Sequence, residues 1–180
     1  MLAYAITDPT TLNFDRLKSD LEAFSRKASM IVYRDKETNN YASNAKAFIT
    51  AAKHFDRVLL HGDYLLAKEC DADGVHLKST QFDDIIKAKT LGLFVIVSTH
   101  NKDEAKDAES LGADMITFSP VFYTPNKGDA VGVDVLKELI SSVSIPVLAL
   151  GGVLTQKQID ACAHVGAKGF ASIRYFAKEI

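Results

Sequence analysis

The chain has 180 residues, of which 47% are apolar and 24% charged, a composition typical of one globular domain. Its 21 basic and 23 acidic side chains leave a formal net charge of −2, so we expect no binding to nucleic acid or to an anionic membrane surface. No apolar run approaches the ~20 residues of a membrane span, and the N-terminus lacks the basic segment of a signal peptide. Two cysteines, Cys70 and Cys162, lie far apart, which predicts buried thiols and a reducing, cytoplasmic setting.

Eight short apolar runs, rich in β-branched residues, recur along the chain and predict strands. They are residues 2–7, 30–34, 57–61, 74–77, 93–98, 115–119, 146–150 and 169–173. Amphipathic stretches of helical period separate them, most clearly over 102–111, 133–140 and 155–165. The last of these begins at Thr155, which we expect to cap the helix.

This alternation predicts an α/β fold, a (β/α)₈ TIM barrel that forms one domain over 1–180, with about 22 residues per unit. The competing architecture is a doubly wound open sheet. So few residues follow the eighth strand that we expect the eighth helix to be truncated or absent. That would expose a flank between the first and seventh helices, which a second copy could cover in a homodimer.

In such a barrel the functional groups lie at the carboxyl ends of the strands and in the loops that follow. Gly151-Gly152 after strand seven and Ser172-Ile173-Arg174 after strand eight predict a phosphate site, because these two loops commonly bind phosphate in this fold. We expect the glycines to let backbone N–H groups approach the anion and the arginine to add a charged contact. The alternative is a tight turn and a solvated arginine.

The loop after strand six, residues 120–131, is longer than most loops between a strand and a helix. Loops of this length often bind ligands or close over them, so we expect a lid. It carries Thr124, Asn126 and Lys127, which could contact an anionic substrate. The alternative is a surface loop with a solvated lysine.

Charged residues and histidines end four further strands. Arg34 and Lys36 follow strand two, where they form either a surface ion-pair cluster or a second anion site. His61, His76 and His100 end strands three, four and five. We expect no metal at these histidines, since no carboxylate spacing supports one, and we interpret them as hydrogen-bonding or acid–base groups. His76 is the one best placed to face the barrel mouth.

Seven segments of the chain resemble the thiamin phosphate synthase family, which includes the TenI-like thiazole tautomerases. They are residues 4–8, 34–36, 72–77, 97–100, 112–114, 119–128 and 145–152. The match runs in order from the first strand to the last. It implies a (β/α)₈ barrel of thiamin biosynthesis that binds a phosphorylated thiazole at the loops after strands seven and eight.

The resemblance also implies a chemistry. In the synthases, a Mg²⁺-bound pyrimidine pyrophosphate ionises to a carbocation, which the thiazole nitrogen captures. Lys36 and Lys127 match the lysines with which the family contacts pyrophosphate. Thr124 and Asn126 lie where the family places hydroxyl contacts, and Ser98 matches its strand-five serine.

The sequence departs from the synthases where they bind the metal. Their Asn-Asp pair after strand three is replaced by His61-Gly62, and their second metal carboxylate falls on Gln81. Three acids nearby in the sequence could rebuild a metal site: Asp63, Asp83 and Asp84. A glycine after strand three resembles the tautomerase branch, yet the acid–base histidine of that branch aligns with Pro120. Arg174 also replaces a serine expected at the phosphate.

Three hypotheses follow. The leading one is a TenI-like tautomerase that uses no metal or cofactor, with His76 or His61 as acid–base groups, neither of which is carried over from the family. The second is a divergent synthase, with Lys127 among its catalytic groups and Mg²⁺ as cofactor. The third is a protein that binds a thiazole phosphate without catalysis.

Overall fold

The computed structural model describes residues 1–177, in which parallel strands and α-helices alternate. The strands are β1 Leu2–Ile6, β2 Met30–Tyr33, β3 Arg57–His61, β4 Gly74–Leu77, β5 Phe94–Thr99, β6 Met115–Phe118, β7 Val147–Leu150 and β8 Gly169–Ser172. The helices are α1 Leu17–Ser25, α2 Tyr41–Ala51, α3 Tyr64–Glu69, α4 Asp84–Thr90, α5 Lys102–Ser110, α6 Gly132–Ile140 and α7 Gln156–His164. A short 3₁₀ helix, Phe14–Arg16, precedes α1.

The sheet is a closed barrel, in which each strand pairs in parallel with the next. β1 and β8 close the barrel by pairing with each other: Ala3 pairs with Phe170 and Ala5 with Ser172. The barrel prediction is therefore confirmed, and the open sheet was the wrong alternative. Because all strands run in the same direction, their carboxyl ends meet at one rim, where the polar strand ends of the sequence are gathered.

Side chains alternate between the inside and the outside of the barrel, as the strand period requires. The inward set forms a small apolar core of its own, consisting of Tyr4, Ile6, Met30, Val32, Leu59, Ile96, Met115, Leu148 and Ala171. The outward set packs against the helices in a larger core. Each fully buried aliphatic side chain contributes roughly 1.5–3 kcal/mol to folding, so these two layers make the barrel a rigid support for its rim.

The helix signals of the sequence are confirmed within one residue at each end. Thr155 caps α7, accepting a hydrogen bond from the Gln158 N–H while the Gln158 side chain accepts from the Thr155 N–H, which is a capping box. After β8 the described chain forms a turn and ends without a helix at residue 177. The rest of the predicted truncated helix lies outside the described residues.

The prediction of buried thiols is confirmed for one cysteine and wrong for the other. Cys162 is buried, but Cys70 is only half-buried, because it ends α3 beside Asp71, which adopts a left-handed backbone conformation at the surface. Among residues 1–177, no helix is long and apolar enough to cross a membrane. The homodimer and the cytoplasmic location stay predictions.

Candidate functional site

A cavity of about 640 Å³ opens at the carboxyl rim of the barrel, and we call it the mouth cavity. Side chains from the ends of several strands line it, together with the loops after β6, β7 and β8. Its charged lining consists of five cations and one carboxylate: Arg34, Lys36, Lys78, Lys127, Arg174 and Asp8. A cavity with this surplus of positive charge is suited to bind anions.

Four of the cations, which follow β2, β4 and β6, form an electrostatic group around Lys36. The pKa of Lys36 is lowered, chiefly by the guanidinium of Arg34, then by burial and by the ammonium groups of Lys127 and Lys78. Among the ion pairs within residues 1–177, none involves Arg34 or Lys36, so the surface ion-pair interpretation is wrong. Mutually repelling cations without acidic partners are typical of a site that an anion completes.

Gly151 and Gly152 line the mouth cavity, and the loop after β6 packs closely on both. Both have positive φ, 93° and 65°. A Cβ on Gly151 would lie 2.7 Å from Cα of Pro120, and a Cβ on Gly152 would lie 2.8 Å from the Phe122 carbonyl carbon. The glycines are therefore required to pack the β6 loop against the end of β7.

The last residue of β8 and the two that follow it also line the mouth cavity, and they have different roles. They are Ser172, Ile173 and Arg174. The buried Ser172 hydroxyl donates to the Val153 carbonyl at 3.0 Å and accepts from the Tyr175 N–H at 3.2 Å. It joins the β7 and β8 loops and also lines the mouth cavity, so its contact with phosphate stays a prediction. Ile173 and the exposed Arg174 line the cavity directly.

The long loop after β6 contributes unequally to the cavity. Thr124 and Lys127 line it, whereas Asn126 is not part of the lining. Asn126 occupies an exposed turn with a φ of 61°, a left-handed position that asparagine tolerates well. Its contact to the substrate is thus not supported. The loop begins as a continuation of the sheet, since the Val121 N–H donates to the Leu150 carbonyl at 2.9 Å.

A buried hydrogen-bonded chain, Tyr4–His76–Ser98, runs from the barrel interior to the cavity. The Tyr4 hydroxyl lies 3.0 Å from Nδ1 of His76, and Nε2 of His76 lies 3.0 Å from Oγ of Ser98. Burial raises the pKa of Tyr4, so its hydroxyl stays protonated and donates to Nδ1, its one acceptor within residues 1–177. Nε2–H then donates to Oγ of Ser98, which lines the mouth cavity.

His76 itself is a poor acid–base group in this setting. It is 2% exposed, and burial, followed by the nearby Arg34, lowers its pKa to about 3. Both ring nitrogens are already hydrogen-bonded. It lines the mouth cavity, but the structure supports a role in orienting Ser98 rather than a direct proton transfer.

The other rim histidines also lack the properties of a metal site or of a strong base. Burial, then His76 and Arg34, lowers the pKa of His61 to about 2. His100 is exposed and donates from Nδ1 to the Ser119 carbonyl at 2.9 Å. Across residues 1–177, no group of three His, Cys, Asp or Glu side chains could hold a metal ion.

The three acids that could have rebuilt a metal site do not line the cavity. Asp63 caps α3, accepting from the Leu66 N–H at 2.9 Å. Asp84 accepts from Lys87 at 3.0 Å, and Asp83 is exposed at the start of α4. Since Mg²⁺ requires oxygen ligands, the residues present do not fit the metal that the resemblance implies.

Lys78 and Asp8 are cavity residues that the sequence patterns did not single out. Each follows the end of a strand, so the rule that function lies beyond the carboxyl ends would have found them. A charged residue at a strand end is ordinarily solvated, so its position alone is weak evidence that it belongs to a functional site.

Comparisons with known proteins agree with the fold and give the family. A sequence profile of the family described as thiamine monophosphate synthase matches residues 3–176. The thiamine-phosphate synthases of Caldivirga maquilingensis and Syntrophomonas wolfei are 34% and 31% identical to this chain, and each match covers 94% of this chain and 85% of the relative. The thiamine phosphate pyrophosphorylase from Pyrococcus furiosus superposes with a TM-score of 0.81 at 27% identity, over 96% of this chain and 85% of that one.

Proposed function

Since this chain belongs to the thiamine monophosphate synthase family of thiamin biosynthesis, we propose that it joins a hydroxymethylpyrimidine pyrophosphate to a thiazole phosphate and releases pyrophosphate. In this step the bond between the pyrimidine methylene carbon and the pyrophosphate oxygen breaks, and its electron pair leaves with the pyrophosphate. The lone pair of the thiazole nitrogen forms the new C–N bond.

The observation that carries this proposal is the charge of the mouth cavity, five cations against one carboxylate. A phosphate monoester carries about two negative charges at neutral pH, so a single phosphorylated thiazole would leave most of the cationic charge uncompensated. A second, more highly charged anion compensates the remainder. Arg34, Lys78 and Lys127 act electrostatically on Lys36, whereas Arg174 is not among the cations that do so, which suits two anionic groups.

The roles of the residues follow from this division. Gly151, Gly152 and Arg174 would hold the thiazole phosphate on the β7–β8 side. Lys36 and Lys127 would bind the pyrophosphate within the group of four cations. Ser98, oriented by His76, would donate a hydrogen bond to one of the two heterocycles between them.

The proton balance favours this transfer over the TenI-type tautomerisation. Alkylation of the thiazole nitrogen releases no proton and needs no base. Tautomerisation moves a proton between carbon and nitrogen and needs a positioned acid and base. His76 and His61, the candidates for that task, have pKa values lowered to about 3 and about 2. The tautomerase therefore becomes the second candidate.

The test is pyrophosphate release from the purified protein given both substrates, with the organic product identified by mass. We expect thiamin phosphate and pyrophosphate in equal amounts. Lys127→Ala should lower kcat/KM by about 10- to 100-fold, since it removes one charged contact to the leaving group. The matched control is Lys106→Ala, on the exposed side of α5, which should leave turnover unchanged. Aromatisation of a thiazole tautomer without C–N bond formation would instead establish the tautomerase, and binding without either reaction would establish the non-catalytic protein.

A further inference from the structure

The mouth cavity offers almost no ligand for a divalent cation. Its single carboxylate, Asp8, accepts two hydrogen bonds at Oδ1 from Thr10, from the N–H at 2.9 Å and from the hydroxyl at 2.6 Å. Mg²⁺ sites in proteins are usually built on one or two carboxylates together with substrate phosphates. One carboxylate already engaged with its own loop, beside five cations, is a poor donor set for this metal.

The end of the Lys78 side chain lies beside Gly62, which follows β3. A Cβ built on Gly62 would lie 3.3 Å from Cε and 3.8 Å from Nζ of Lys78, so the lysine side chain passes directly beside Gly62. Gly62 has a φ of 80°, which a residue with a side chain adopts only with strain. Glycine at position 62 thus permits this backbone conformation and leaves the space beside it to the Lys78 side chain.

Gln81 braces this arrangement. Its Nε2 donates to the Gly62 carbonyl at 2.8 Å, and its Oε1 accepts from the Lys78 backbone N–H at 3.2 Å. One side chain therefore ties the loop after β3 to the loop after β4. The brace fixes the backbone from which Lys78 extends into the mouth cavity, where Lys78 acts on Lys36 electrostatically.

We propose that the ammonium group of Lys78 replaces a divalent cation at the pyrophosphate side of the mouth cavity, so that this anion is bound, and released as leaving group, without metal. The inference rests on the proposed transferase function for the leaving step but not for the binding step. When the C–O bond breaks, the electron pair remains on the pyrophosphate oxygen, and the ammonium and guanidinium groups stabilise that charge without a proton transfer.

The first experiment measures binding alone, by calorimetric titration of inorganic pyrophosphate into the metal-free protein in the presence of EDTA. We expect binding that Mg²⁺ does not strengthen. Lys78→Gln should weaken it by at least about tenfold, because one charge-assisted contact is lost, and Lys78→Arg should restore part of the affinity. Lys106→Gln, which removes an exposed charge on α5, should leave the affinity unchanged. Binding that requires Mg²⁺, or that is unaffected in Lys78→Gln, would overturn the inference.

The second experiment measures transfer in EDTA and in Mg²⁺. The inference expects thiamin phosphate formation in EDTA that falls at least about tenfold in Lys78→Gln. Transfer that requires Mg²⁺ would refute the inference and leave the transferase standing. Metal-free, Lys78-dependent binding of pyrophosphate without transfer in either condition would support the anion site and refute the transferase, so the two failures are distinguishable.

Discussion

The contact between the β6 loop and Gly152 makes a quantitative prediction. A Cβ at this position would meet the carbonyl carbon of Phe122 at 2.8 Å and its Cβ at 2.9 Å, and the backbone carbonyl of Tyr123 more closely still. Gly152→Ala therefore combines a left-handed backbone cost of about 1 kcal/mol with an overpacking cost of about 2 kcal/mol. For a chain of this length, a loss of about 3 kcal/mol lowers Tm by about 6–12 °C.

The matched control is Gly92→Ala. Gly92 has a φ of 77°, and a Cβ at this position would meet no heavy atom within 4 Å beyond its own chain neighbours. Only the backbone cost of about 1 kcal/mol applies, so Tm should fall by about 2–4 °C. Differential scanning calorimetry of the two variants and the wild type separates the two costs. Equal losses in the two variants would refute the argument that the β6 loop is packed on Gly152.

Three further predictions test the core, the buried histidine and the phosphate side. Leu148→Ala, inside the barrel, should lower the free energy of unfolding, measured with denaturant, by about 3 kcal/mol. Leu65→Ala, whose side chain is 62% exposed, should lower it by less than about 0.5 kcal/mol. Similar losses in the two variants would contradict the layered core. Burial lowers the pKa of His76 from 6.5 to about 3, so in that window the unfolded chain holds a proton that the native state lacks. The contribution of His76 to the free energy of unfolding should therefore fall as pH falls below about 6.5, by up to about 1.4 kcal/mol per pH unit, and the overall slope should decrease in His76→Asn. Arg174→Ala should weaken binding of inorganic phosphate by about tenfold, and unchanged affinity would show that the phosphate lies elsewhere.

Much of the architecture could be predicted from residue patterns, because it depends on local periodicity. The strands read as continuous apolar runs since both of their faces are buried, and Thr155 is recognisable as an N-cap from its spacing to Gln158. The rule that function gathers at the carboxyl ends of the strands correctly predicted that Lys36, Lys127 and Arg174 lie at one cavity.

What could not be predicted depends on contacts between segments distant in the chain. The Ser172 hydroxyl is engaged by Val153 and Tyr175, and nothing in its own segment indicates this. The role proposed for Lys78 depends on the position of its side chain beside Gly62, which lies sixteen residues earlier in the chain. Asp63 was within reach of prediction, because an aspartate before an apolar helical run is a common N-cap.

The most direct test of the proposed function is the product formed by the wild-type protein from hydroxymethylpyrimidine pyrophosphate and thiazole phosphate, identified by mass spectrometry in EDTA. The proposed pair of anion sites, in a cavity whose histidines have strongly lowered pKa values, predicts thiamin phosphate, with one pyrophosphate released for each C–N bond formed. Recovery of unjoined heterocycles, with or without added Mg²⁺, while both substrates bind, would contradict the assignment of this cavity to group transfer.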